Sequence, residues 1–167
     1  GEELQRQLSY WKDRLSGLPT LELPTDHPRP VVQSSRGASL HVDLPEELSR
    51  RLGEVSRGEG ATLFMMMLAA FMVLLYRCTG QQDVVVGSPI ANRNRSETEG
   101  LIGAFVNMLV MRAEIRGQMS FREVLGRVRE TALQAYAHQD LPFEKLVEEL
   151  DPQRDAGRNP LFQVVFA

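Results

Sequence analysis

From Leu63 to Tyr76 the chain reads LFMMMLAAFMVLLY, with no charged residue to give a helix a wet side. A helix that is apolar all round is either a membrane span or the centre of a packed core. Crossing a bilayer takes roughly 20 apolar residues. Arg77 ends this run well short of that, so the core reading holds. Thr62 is placed to N-cap the helix, which should end near Cys78. A core helix needs neighbours on several sides, and the rest of the sequence has to provide them.

The surrounding periodicities provide both helices and strands. Leu4, Leu8, Trp11 and Leu15 have the spacing of an amphipathic helix, with Gly17 as its stop. Prolines at 19, 24, 28 and 30 then predict an extended, solvent-facing connector lying across a surface. Leu40, Val42 and Leu44 alternate with polar neighbours and predict a half-buried strand. Asp43 and Pro45 open a second helix with Leu48, Leu52 and Val55 on one face, closed by Gly58 and Gly60.

After the core helix, Asp83–Gly87 is a β-branched run expected of a strand covered on both faces. An exposed polar loop, SPIANRNRSETEG, follows it. Ile102 to Ile115 alternates again, with Phe105, Asn107, Leu109 and Met111 on one side. Ser120 and Glu123 form a capping-box pattern before a helix carrying Leu125, Val128, Ala132 and Ala135. His138-Gln139-Asp140 breaks that helix, and Pro142 starts another with Phe143, Leu146, Val147 and Leu150 as its stripe. Asp151-Pro152 ends it, and Leu161–Phe166 reads as a last strand. Interleaved helices and strands over 167 residues predict about one domain of layered α/β architecture.

Charge narrows the function classes. Nineteen basic side chains face twenty-two acidic ones, a formal net charge of −3, which argues against a nucleic-acid or anionic-membrane binder. One cysteine excludes an internal disulfide, and three scattered histidines do not make a closed zinc site. The charged N-terminal segment lacks a signal-peptide core, so a cytoplasmic location is the default expectation.

A reacting centre is hard to assemble from these residues. Cys78 ends an apolar helix beside Arg77 and reads as a buried or semi-buried thiol rather than a nucleophile. Ser88 lies in G-S-P, not in the G-x-S-x-G elbow of hydrolases. His138 and Asp140 are two apart at a helix boundary, where capping explains them better than a base and its orienting carboxylate. Met65, Met66 and Met67 read as core, and Arg93 and Arg95 as a solvated loop rather than a phosphate grip. Neither a Walker motif nor G-x-G-x-x-G occurs. The chain has no self-sufficient active site of its own.

Several stretches together resemble the condensation domains of nonribosomal peptide synthetases. They are YWKDRLSGLPTLELPTDHPRP at 10–30 and TLFMMMLAAFMVLLYRCTGQQDVVVGSPIANRNR at 62–95. IGAFVNMLVMR at 102–112, HQDLPFEKLVEEL at 138–150 and RNPLFQVVF at 158–166 complete the set, in the family's order. The resemblance implies a fold like that of chloramphenicol acetyltransferase, two lobes with a tunnel between them. It implies amide formation between an amine acceptor and an acyl thioester donor, both delivered on the phosphopantetheine arms of carrier domains, with no cofactor bound directly.

The family's central histidine is the second of HHxxxDG, a motif that occurs nowhere in these residues. The chain is therefore expected to be one piece of such a domain, with residues 1–36 a helix and connector and 37–167 part of the C-terminal lobe. Alone it should be inactive and should expose apolar surface. Its expected partners are carrier and adjacent synthetase domains and the first lobe, with neither nucleic acid nor membrane among them.

Ser88, Ala91, Gly103 and Asn107 are candidates for lining the tunnel. Asn107, polar within an apolar strand, either braces backbone or points at the channel. Arg112 either anchors a carboxylate at the lobe boundary or makes a surface ion pair. His138, Asp140 and Pro142 belong to a structural motif, and Arg158, Asn159 and Pro160 to a turn that sets the last strand's register. A docking scaffold without catalysis, or an epimerising or heterocyclising relative, is the alternative.

Overall fold

Thr62 accepts a hydrogen bond from the Met65 amide and starts a helix that Gly80, at φ 72°, closes. In the computed structural model, which describes residues 1–32, 36–92, 102–103, 105–152 and 157–167, this helix is the centre of the core. In chain order the elements are α1 (Glu2–Leu15), α2 (Glu46–Gly58), α3 (Leu63–Thr79), β1 (Asp83–Ile90), β2 (Asn107–Glu114), α4 (Phe121–Ala137) and α5 (Phe143–Leu150). Met65, Met66, Leu68, Ala69, Met72 and Leu75 of α3 are all buried. In the same core lie Leu125, Val128, Ala132 and Ala135 of α4, the face expected from its spacing, with Val124 buried beside them. The Ser120–Glu123 capping box is formed in full.

β1 and β2 pair antiparallel, from Asp83 opposite Glu114 to Ile90 opposite Asn107. Val84, Val85 and Val86 are buried in succession, so β1 is covered on both faces as its β-branched run predicts. The strand runs three residues past Gly87, taking in Ser88 and Pro89 where a loop was expected. The last strand is reduced to a parallel bridge between Gly87 and Val165, fixed by Gly87 N to Val164 O and Phe166 N to Gly87 O, each 2.9 Å. Phe162 lies over that glycine so closely that a Cβ there would sit 2.5 Å from its ring. Phe166 closes the far end against Phe64 and Phe71 of α3, at ring-centroid distances of 5.5 and 5.4 Å.

Other expectations need correction. Leu40, Val42 and Leu44 form no strand and are exposed, because no described segment lies alongside to pair with them. The connector is not wholly solvent-facing: Leu21 is buried, and Gln81 holds it from both sides, accepting from Glu22 N at 2.7 Å and donating to Thr20 O at 3.0 Å. Cys78 is exposed rather than buried, since it lies beyond Leu75, the last buried residue of α3. The second strand begins at Asn107, and Ile102, expected at its start, stands fully exposed. Asp43 does not cap α2, which starts behind Pro45 with no side-chain cap.

Candidate functional site

Asn107 opens β2 with its side chain almost wholly buried, 6% exposed. A buried primary amide has two donors and an acceptor to satisfy. Here Nδ2 donates to the carbonyls of Gln139, at 2.9 Å, and Leu141, at 2.8 Å. Oδ1 accepts from the Met108 amide and from the Phe143 amide, both at 2.9 Å. The Phe143 amide is one of the donors left orphaned at the start of α5. One side chain thus ties the entry of β2 to the turn between α4 and α5 and to the first residue of α5. This is a bracing arrangement: every polar position of the amide is spent on main chain.

The same turn holds α1. His138 follows α4, and its ring stacks on Tyr10 with centroids 3.8 Å apart. Nδ1 lies 2.9 Å from the Gln134 carbonyl, which only accepts, so the proton sits on Nδ1. Nε2 then accepts from Arg6 at 3.2 Å. Trp11 donates its indole N–H to the His138 carbonyl at 2.8 Å. Asp140 is exposed and takes no part in the ring's bonds, so the pair is not a base with its carboxylate. Pro142 is the N-cap of α5 and leaves no amide to satisfy.

A second clamp grips the other end of α1. Arg112 on β2 holds Asp83 on β1, from Nε to Oδ1 at 3.0 Å and from Nη2 to Oδ2 at 2.7 Å. Its Nη1 donates to the carbonyls of Arg14, at 2.9 Å, and Ser16, at 2.8 Å. These are carbonyls that the last turn of a helix leaves unpaired. Arg14 answers with Nη2 donating to Thr131 Oγ1 at 2.9 Å and to the Arg112 carbonyl. The ion pair expected of Arg112 is present, and the grip on the helix end comes in addition to it.

Arg158 pairs with Glu22, Nη2 to Oε2 at 2.9 Å, and the guanidinium holds that carboxyl below its usual range. Asn159 Oδ1 accepts from the amides of Leu161, at 3.2 Å, and Phe162, at 3.4 Å, a side-chain turn around Pro160 that leads into the Gly87 bridge.

The remaining candidates do not converge on a reacting centre. Ser88 is buried in β1 opposite Leu109. Ala91 is exposed just past Ile90, the register partner of Asn107. Gly103 is exposed beside Phe105. Arg93, Arg95 and Ala104 lie outside the described residues. Among the described residues no group of three or more His, Cys, Asp or Glu is set to hold a metal ion. Sequence reading missed Arg14, Thr131 and the Trp11 indole as anchors, because their partners lie about a hundred residues or more away for all but the Thr131–Arg112 bond.

A family model described as "Condensation domain" matches residues 1–167. A linear gramicidin synthase protein of Brevibacillus parabrevis is 60% identical over 167 residues, 99% of this chain and 3% of that protein. A surfactin synthase protein of Bacillus subtilis is 45% identical over 99% of this chain and 5% of its own length. The chain thus spans only a few per cent of these curated relatives.

Among solved structures, a four-domain nonribosomal peptide synthetase bound to AMP and glycine superposes with a TM-score of 0.92 at 32% identity, over 95% of this chain and 12% of that one. The X-domain from teicoplanin biosynthesis superposes with a TM-score of 0.91 at 30% identity, over 97% of this chain and 36% of that one. The layered α/β fold is therefore the chloramphenicol acetyltransferase-like one. Sequence motifs, fold and relatives agree, and the chain belongs to the condensation-domain family of nonribosomal peptide synthetases.

Proposed function

We propose that these residues form part of a condensation domain that joins a carrier-bound acyl or aminoacyl thioester to a carrier-bound amine, and that their share is to build and brace one side of the substrate passage. The observation that carries the proposal is the match of the family model over residues 1–167, with 60% identity to a linear gramicidin synthase. In the reaction the acceptor nitrogen attacks the thioester carbonyl, the C–S bond breaks, the thiol leaves on its pantetheine arm, and the amine loses a proton. Aligning the two arms and excluding water supply much of what such a step needs.

The proton-handling histidine of HHxxxDG is assigned to the parent polypeptide outside these residues. Within them, Ser88, Ala91 and Gly103 are proposed to lie toward the passage, and Asn107 to hold the frame behind it. The phosphopantetheine arms belong to the carrier domains and enter as substrate.

The test is condensation by the parent synthetase, loaded with donor and acceptor on their carriers, read as the new amide by mass spectrometry. Product that disappears when the second histidine of the parent's HHxxxDG is replaced is the expected result. Absence of product from a fully loaded parent with that motif intact overturns the proposal. A docking role is the second reading, supported by the likeness to the X-domain in its complex with OxyB, with a TM-score of 0.92 at 30% identity.

A further inference from the structure

A cleft of about 460 Å3 opens between α1, the end of β2 and α4. Tyr10 and Arg14 line it from α1, Glu114 from β2, and Arg127, Glu130 and Gln134 from α4. Glu114 is already satisfied. It takes Arg116 at 2.8 Å and Arg127 at 3.4 Å, and these two guanidiniums hold its carboxyl below the usual range. Arg14 and Glu130 have no such match. Arg14 is fixed through Nη2, which donates to Thr131 Oγ1 at 2.9 Å and to the Arg112 carbonyl, both neutral acceptors. Among the described residues no carboxylate pairs with Arg14, and Glu130 makes neither a hydrogen bond nor an ion pair. Tyr10 adds an unspent donor on the α1 side. It is half-buried, its hydroxyl has no hydrogen-bond partner among the described residues, and burial pushes the phenol up, so it keeps its proton at neutral pH.

Two arginines and two glutamates make the lining neutral as a whole, so neither a lone anion nor a lone cation is favoured by its summed field. The unmatched charges stand on different walls, a cation beside a phenol on α1 and a carboxylate on α4. A small dipolar molecule satisfies both, its carboxylate accepting from Arg14 and Tyr10 and its ammonium donating to Glu130, all in charge-assisted bonds. The volume lies within the roughly 300–1,000 Å3 of small-molecule clefts. Apart from the Tyr10 ring, no apolar side chain larger than Ala113 lines it, which disfavours an apolar occupant. The hollow of about 480 Å3 on the other side of Arg14 has no comparable vacancy of charge, because there Arg112 and Asp83 hold each other at 2.7 Å. We propose that the cleft between α1 and α4 binds a free α-amino acid, with its carboxylate toward Arg14 and Tyr10 and its ammonium toward Glu130.

Titration of the isotope-labelled 167-residue chain with L-alanine, followed by amide chemical shifts, tests this. Amides of residues 10–14 and 127–134 should shift together and saturate. Binding should be about tenfold weaker in Glu130→Gln and in Tyr10→Phe, since each removes one charge-assisted bond. Both substitutions keep the shape of the side chain, so the far-ultraviolet circular dichroism should be unchanged. Acetate and ethylammonium, which carry one charge each, should bind at least about tenfold more weakly than L-alanine. No saturable shift up to about 100 mM L-alanine overturns the proposal. Acetate binding as tightly as L-alanine also overturns it, because the cleft is then a simple anion site. Unchanged affinity in either variant does so as well.

Discussion

Replacing Asn107 by alanine removes four hydrogen bonds at once, and their settings give the expected cost. The bond to the Leu141 carbonyl is buried, and those to Gln139 O, Met108 N and Phe143 N are partly buried. A carbonyl stranded without a partner costs about 1–3 kcal/mol, while a bond whose partners regain water loses about 0.5 kcal/mol. One loss of about 2 kcal/mol and three of about 0.5 kcal/mol total about 3.5 kcal/mol. At about 2.1 cal/mol/K of unfolding entropy per residue, a chain this size has about 0.35 kcal/mol/K, so the melting temperature should fall by about 10 °C. Thermal unfolding followed by circular dichroism measures it.

Asn107→Asp is the companion variant. It keeps an acceptor for Met108 and Phe143 but turns a carboxylate oxygen toward two carbonyls, so its loss at neutral pH should be at least as large and should shrink as the carboxyl protonates. In the parent synthetase a bracing residue lowers stability and turnover together. A melting temperature within about 3 °C of the unsubstituted chain for both variants would refute the bracket. Lost turnover with unchanged stability would instead put Asn107 against substrate.

Gly87→Ala should destabilise by about 1–3 kcal/mol, because its Cβ meets the Phe162 ring at 2.5 Å. Adding Phe162→Leu should recover part of the loss in urea titration, and a neutral single variant contradicts the packing. Arg112→Met should cost about 2–3 kcal/mol, more than Asp83→Asn, since it releases the end of α1 as well as the ion pair, whose side chains are 19% and 34% exposed; equal losses mean the helix-end bonds contribute nothing. Glu3 is held to about 2, against its ordinary 4.5, by hydrogen bonds from Arg6 and Gln7. A depressed carboxyl stabilises above its unfolded value and loses that effect as pH falls through the folded one. The stability difference between the chain and its Glu3→Gln variant should therefore be constant above pH 4.5 and vanish toward about 2, and a difference flat across that window rules the linkage out.

What sequence reading reached, and where it stopped, follows the range of the interactions. Thr62 and the Ser120–Glu123 box act within one helical turn, so the starts of α3 and α4 agree closely with their signals. Asn107 stands out as a polar residue in an apolar run, but all its partners other than the adjacent Met108 amide are 32 to 36 residues away, and spacing alone leaves both bracing and channel-facing open. The Arg14–Arg112 exchange spans 98 residues and leaves no mark on any local pattern. Alternation at 40, 42 and 44 is local and plain, yet it records which face is apolar and not what covers it, so a strand was expected where none forms.

The placement of the polar side chains fits the proposed division of labour. Asn107, Arg112, His138 and Asn159 each bond a main-chain group outside their own strand or helix ladder, and Arg14, Thr131 and Trp11 do the same. None is paired as nucleophile with base. A lobe that supplied reacting groups would leave some of these atoms directed at open space. A lobe that supplies a wall instead spends them fixing the relative positions of α1, the two strands and the turn before α5. Misplacing a reactant by about 1 Å can cost about a hundredfold in rate. In the parent, then, substitutions in these brackets should lower turnover in step with the local displacement they cause, and the donor's chemical identity should hardly matter. Substitutions at Ser88, Ala91 or Gly103, the positions proposed to lie toward the passage, should instead discriminate between donors. A panel of donors of different size, assayed against Asn107→Ala and Ala91→Val, distinguishes the two patterns: parallel losses for the bracket and a size-dependent loss for the wall.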